Sequence, residues 1–274
     1  MKTIFQEELN IKDPERAILT IYSAPKHFSL SLYDPEEQGS FLCREISGED
    51  QIDAFAAFKE LFFNNPFLSL PFQKVWIMNR TPNFTFVPDS FYKDEYKEDF
   101  SQFLFSDQQG ITLTDSVPSV GINVLYQLPE NVYRFMLRSF AKPEFIHFST
   151  PLISYFIKNS KNVDPRQMVV NLQEDGLDIF CFSKETFLIG NYFPCKHLQD
   201  ALYYILFTWK QLKLNQLDDY LHITGNNALK EELIDKLALY FQQILFPDIT
   251  TEIYFEGIET DRIPFELAAL SVCE

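Results

Sequence analysis

Apolar and polar positions alternate in three short runs near the start of the chain. Ala17-Ile18-Leu19-Thr20-Ile21-Tyr22, His27-Phe28-Ser29-Leu30-Ser31-Leu32-Tyr33 and Ser40-Phe41-Leu42-Cys43-Arg44-Glu45-Ile46 read as a meander of three strands. The spacing then changes. Ser47 is a capping residue with Asp50 three positions on, and Ile52, Phe55, Ala56, Leu61 and Phe62 form the apolar face of a helix that stops at Asn64-Asn65-Pro66. Lys74 to Asn79 reads as a buried strand, and Phe84 to Pro88 alternates or extends it. An amphipathic helix is expected over 91–105, then a strand pair at 111–114 and 122–126. Val132, Phe135, Met136 and Phe140 share one face of a helix over 130–140. A strand at 144–148 and a helix at 151–158, with proline in its first turn, complete the first half.

The same order then returns. Met168 to Leu172, Leu177 to Phe182 and Thr186 to Phe193 form a second meander, with Glu174-Asp175-Gly176 as a tight hairpin in which Asp-Gly supplies positive φ. A helix follows from Lys196, carried by Leu198, Ala201, Leu202, Ile205, Leu206, Trp209 and Leu212. Tyr220 to Thr224 is the next strand, and Gly225-Asn226-Asn227 turns into a helix with Leu229, Leu233, Leu237, Tyr240, Phe241 and Ile244 inward. Thr251 to Phe255 reads as a strand, and an apolar segment from Pro264 to Val272 closes the unit. The polar stretch Lys158 to Gln167, with Pro165, separates the halves and places the lobes at 1–160 and 161–274. Two copies of a strand meander feeding a helix make this an α/β chain with an internal duplication.

Composition supports a packed core: 46% of the 274 residues are hydrophobic and 29 are Phe. A net charge of −16 repels phosphate backbones, so nucleic acid is not an expected partner. Cys43, Cys181, Cys195 and Cys273 form no C-x-x-C unit and read as reduced thiols. Met1 to Glu8 turns acidic before an apolar run develops, unlike a signal peptide, and Asn79-Arg80-Thr81 and Asn83-Phe84-Thr85 are then coincidental glycosylation matches. The longest apolar candidate, Leu198 to Leu214, is interrupted by Gln199, Asp200, Lys210, Gln211 and Lys213. A cytoplasmic protein without a transmembrane segment is the expectation.

The doubled element order resembles the duplicated RNase-H-like fold of actin, sugar kinases and Hsp70-type ATPases. Within that group it is similar to the bacterial pilus-assembly and secretion proteins of actin-like fold. The whole chain is also similar to a family of uncharacterised Bacteroidetes proteins assigned an actin-like ATPase fold. The resemblance implies an Asp-x-Gly turn in each half, where the acid holds Mg²⁺ through water and the glycine admits phosphate. Here the first turn is Tyr22-Ser23-Ala24-Pro25-Lys26, with neither. The second is Asn171-Leu172-Gln173-Glu174-Asp175-Gly176, where Asn171 stands in the acid's place. The Gly-Gly turn that meets adenosine becomes Thr224-Gly225-Asn226-Asn227, a strand, small turn and helix start able to receive an anion or ribose. Asn171, Thr224, Gly225 and Asn226 are therefore the candidate residues of a degenerate nucleotide cleft. The nuclease branch of the fold is excluded, because Ala17 to Tyr22 and Met168 to Leu172 contain no acid to hold two metals.

No two of His27, His147, His197 and His222 stand at metal-ligand spacing, so no metal site is expected. Cys195-Lys196-His197 reads as a helix start with a buried cysteine. Residues 60–105 are crowded with aromatics, among them Phe62, Phe63, Phe91, Tyr96 and Phe103, which form either core or a surface for a protein partner. The expectation is a non-catalytic, protein-binding or scaffold component of actin-like fold, with no catalytic residue and no cofactor. Its alternative is a divergent ATPase or kinase using ATP and Mg²⁺.

Overall fold

Ile18–Ser23 (β1) is buried along its whole length, as a strand covered on both faces must be. It pairs antiparallel with His27–Tyr33 (β2), which pairs antiparallel with Leu42–Ser47 (β3). On its other side β1 runs parallel to Lys74–Asn79 (β4), and β4 runs parallel to Glu144–His147 (β8). The sheet order is β3-β2-β1-β4-β8. The computed structural model describes residues 13–24, 27–37, 39–47, 54–105, 110–160, 165–249 and 263–273. The helix start expected at Ser47 to Asp50, the strand at Thr251 to Phe255 and the middle of the linker lie wholly or partly outside these residues.

The second sheet repeats the first. Gln167–Gln173 (β9), Gly176–Ser183 (β10) and Thr186–Pro194 (β11) form the antiparallel meander. Tyr220–Gly225 (β12) runs parallel to β9, and Ile244–Leu245 (β13) parallel to β12. The order β11-β10-β9-β12-β13 matches the first sheet strand for strand. Each sheet is covered by the helix that follows its meander. Ala54–Asn64 (α1) turns Ala57, Phe58 and Leu61 into a core with Leu19, Ile21, Leu30 and Ile77. Leu198–Gln211 (α5) turns Leu198, Ala201, Ile205 and Trp209 onto Met168, Val170, Ile179, Leu221 and Ile223. These helical positions recur every three or four residues and the strand positions every second one, as the two periods require.

The first half departs from the second by an insertion. Between β4 and Glu130–Ser139 (α3) lie Phe84–Pro88 (β5), Lys97–Leu104 (α2), Gly110–Val117 (β6) and Ile122–Pro129 (β7), and the strands form a separate sheet ordered β5-β7-β6. In the second half a single helix, Lys230–Leu237 (α6), makes the same connection.

Some details differ from expectation. The helix expected over 91–105 is a 3-10 turn at Asp94–Tyr96 followed by the shorter α2. Ser149–Ser160 (α4) begins before Pro151, which is tolerated because the first-turn amides have no helical partner. The helix after Gly225 stops at Leu237, leaving Tyr240 exposed and Ile244 in β13. Gly176 does not have positive φ; a Cβ there would stand 2.4 Å from the Phe193 carbonyl oxygen, so close packing explains the glycine.

By their contacts the residues fall into two compact units, one of 1–116, 122–151 and 250–274, the other of 117–121 and 152–249. This differs from lobes of 1–160 and 161–274. The division falls inside α4, whose Phe156 packs on Phe182 and His222 of the second sheet. The C-terminal helix Phe265–Cys273 (α7) belongs to the first unit, where the Tyr22 hydroxyl donates to Glu266 Oε1 at 2.5 Å.

Candidate functional site

In the second sheet, Met168, Val170, Leu172, Ile179, Leu221 and Ile223 face the apolar core. Alternation therefore sends Asn171, Asp178, His222 and Thr224 to the opposite face. Asn171 lies directly between Thr224 on β12 and Asp178 on β10. All three side chains are buried. The Thr224 hydroxyl donates to Asn171 Oδ1 at 3.1 Å, and Asn171 Nδ2 donates to Asp178 Oδ2 at 3.5 Å.

Gly225 ends β12 with φ +70°, and a Cβ there would lie 2.2 Å from the Leu172 carbonyl oxygen and 2.7 Å from Asn171 Oδ1. Only glycine fits that conformation and that gap. Lys230 Nζ donates to the Gly225 carbonyl at 2.9 Å. Asn227 Nδ2 donates to the Gln173 carbonyl at 3.0 Å, and Asn227 Oδ1 accepts from the Leu229 amide at 3.0 Å. Asn226 is exposed. Of the four candidate residues, Asn171, Thr224 and Gly225 are thus brought together, while Asn226 stands outward on the turn.

Asn227, already part of the expected turn, and Asp178 and Lys230, which were not singled out by sequence, complete the arrangement. The available signal was Asp178, one carboxylate inside the apolar run Leu177 to Phe182. What this cluster offers chemically is a neutral amide and a hydroxyl bonded to each other beside one buried carboxylate. In the first sheet the register that pairs Leu172 with Gly225 corresponds to the one that pairs Ser23 with Asn79. Asn171 then corresponds to Tyr22, whose hydroxyl is engaged by Glu266. No group of three or more His, Cys, Asp or Glu side chains suited to a metal ion occurs among the described residues.

A second polar cluster lies in the first unit and was also missed. Asp115 on β6 accepts from the His147 backbone amide at 2.6 Å, Thr150 Oγ1 at 2.7 Å and Tyr126 OH at 3.2 Å. Burial nonetheless pushes its carboxyl up to about 7, the three donors offsetting only part of the desolvation. His147 packs at tilted ring angles among Phe84, Tyr126 and Phe148, and burial lowers it to about 3. His147 Nδ1 lies 2.7 Å from Ser149 Oγ, but both residues are fully buried and Asp115 engages the His147 backbone rather than its ring. The constellation lacks the geometry of a nucleophilic triad. His222 is lowered to about 4, again by burial. Cys195 is raised to about 11 by desolvation and by Asp200 and Asp175, so Cys195-Lys196-His197 holds a thiol, not a thiolate.

The profile of the family described as "Protein of unknown function (DUF3822)" matches residues 6–244. The chain belongs to the DUF3822 family. No curated protein matches it in sequence. Among solved structures it is similar to a Bacteroides thetaiotaomicron protein with actin-like ATPase fold and unknown function. They share 26% identity with a TM-score of 0.84, over 97% of this chain and 99% of that one. It is also similar to a chain of the PilM–PilN type IV pilus biogenesis complex, at 8% identity and a TM-score of 0.57, over 93% of this chain and 97% of that one. This DUF3822 chain therefore has the actin-like ATPase fold in two lobes, as its doubled strand order implies. No described helix is long and apolar enough to cross a membrane.

The aromatic stretch divides between core and surface. Phe67 and Phe105 are buried and Phe62 and Phe72 pack against the core, whereas Phe63, Phe91, Tyr96 and Phe103 are exposed.

Proposed function

We propose that this protein keeps the actin-like architecture without its nucleotide chemistry and works by binding another protein. The observation that carries the reading is the Asn171–Thr224 pair. Where the fold's ATPases place a carboxylate for Mg²⁺, this chain has an amide whose oxygen is taken by the Thr224 hydroxyl. The equivalent place in the first sheet holds Tyr22, bonded to Glu266. These residues do not fit a Mg²⁺–triphosphate, which needs a solvated acid and free backbone donors. Cys43, Cys181, Cys195 and Cys273 are free thiols, which suits a reducing, cytoplasmic setting. PilM, of the same fold, is found in a complex with PilN, so this architecture is compatible with a protein partner.

The second reading, a divergent ATPase or kinase, rests on Gly225, whose positive φ leaves a small turn before a helix. A thermal-shift titration with Mg-ATP decides between the two. A flat response across nucleotides is expected. A melting temperature that rises to saturation, and no longer does so in Thr224→Arg, would overturn the proposal in favour of the divergent enzyme.

A further inference from the structure

Helix α2 is built inside out. The side chain it buries is Ser101, whose hydroxyl oxygen accepts from Thr112 Oγ1 at 2.7 Å and from Gln127 Nε2 at 3.0 Å. Thr112 and Gln127 belong to β6 and β7, so polar bonds hold the helix to the sheet of the insertion. Its apolar stripe lies to one side of that contact, with Leu104 one turn from Ser101 and Phe103 farthest toward solvent. Tyr96, Phe100, Phe103 and Leu104 follow helical spacing along one side; Phe100 is half-buried, and Phe103 is 87% exposed. An amphipathic helix ordinarily turns such a stripe into the core. Beside the stripe stand Asp94, Glu95, Glu98 and Asp99, against Lys93 and Lys97; Lys93 lies over the Tyr96 ring and pairs with Glu95, which leaves Glu98 and Asp99 as the carboxylates beside Phe103. The helix dipole accounts for Glu98 and Asp99 in the first turn, but not for aromatics facing water.

We propose that this face of α2 is a docking surface, and that its occupant is a cationic segment of another protein carrying apolar side chains. The inference rests on the protein-binding reading above and names the surface and the partner's chemistry. Aromatic side chains supply desolvated anchor area at little entropic cost, and flanking carboxylates attract and orient a basic partner. A second copy of this chain is a poor occupant, because it would bring the same carboxylates against these and shares the net charge of −16.

The test places a photo-crosslinking phenylalanine at Phe103 of the full chain, in the cells that make it natively, and sequences the crosslinked peptide. A synthetic copy of that peptide is titrated against the wild type, a Tyr96→Ser/Phe103→Ser variant and a Glu98→Gln/Asp99→Asn variant. The aromatic variant should melt like the wild type, since its altered side chains are exposed, and the charge variant slightly lower, since it gives up the favourable charges at the helix N-terminus. The expected peptide is net positive with apolar residues. Its affinity should fall about tenfold or more in the aromatic variant and by a smaller factor in the charge variant, and rising salt should weaken it. A neutral or acidic peptide, a crosslink within the chain or between two copies, no crosslink at all, or equal affinity in the aromatic variant overturns the assignment. Crosslinking to a partner from Phe207, exposed on α5, but not from Phe103 removes the α2 surface alone. Silence from both positions removes the protein-binding reading as well.

Discussion

Thr224 and Asn171 satisfy each other inside the second sheet, and that mutual dependence sets their cost of replacement. Thr224→Val keeps the shape and deletes the donor, leaving Asn171 Oδ1 without its bond. A loss of about 1–3 kcal/mol in urea unfolding is expected, and a change below about 0.5 kcal/mol would mean the pair is not closed. Gly225→Ala should cost at least as much, about 1–3 kcal/mol, because the methyl meets backbone at a φ few L residues adopt. The buried ionisable residues set a pH dependence of two opposing signs. His147 and His222 hold about 3 and 4 when folded against an ordinary 6.5, so the unfolded chain binds protons first and stability falls as pH drops below about 6.5. Asp115 works the other way. Folded, it keeps its proton up to about 7, so the stability it contributes is present below about 4 and is lost as pH rises to about 7. Unfolding series between pH 4 and 8 should show Asp115→Asn gaining on the wild type as pH rises. His222→Phe should instead gain as pH falls; parallel curves would refute both assignments.

Among the elements, those that bury one face were readable from the chain. The alternation of Leu19, Ile21, Phe28, Leu30 and Leu32 and the rhythm of Leu198, Ala201, Ile205 and Trp209 each point one way, and tertiary packing agrees with them. Ile205→Ala, at a position with no exposure, is expected to cost about 2–5 kcal/mol, measurable by denaturant midpoint. The surfaces of α2 were not readable, since Phe100 and Phe103 have the spacing of a core stripe while a serine takes the inward position. Asn171, Thr224 and Gly225 could be placed at strand ends by sequence. That their polar atoms are spent on one another could not, because Asn171 and Asp178 are opposed only through the β9–β10 register. The Asp115 cluster was hidden for the same reason, its donors coming from β7, β8 and α4.

One topology used twice gives two sheets with the same strand order, and among the described residues the insertion belongs to the first. The duplicated order was legible in the chain; the grouping of α7 with the first unit by contacts was not, because its partner Tyr22 lies 244 positions away. Tyr22→Phe removes the donor to buried Glu266, so α7 should become more accessible to limited proteolysis while the α5 region stays protected. Equal cleavage of α7 in both proteins would show that apolar burial alone retains it. The Tyr22–Glu266 bond spans 244 positions of sequence. On the ribosome, β1 is made before α7 by nearly the whole of this sequence, so its tyrosine waits for its glutamate while residues 152–249 already have a compact unit of their own to form. In the lobe whose synthesis starts earlier, this one bond can therefore close only after residues 152–249 have been made.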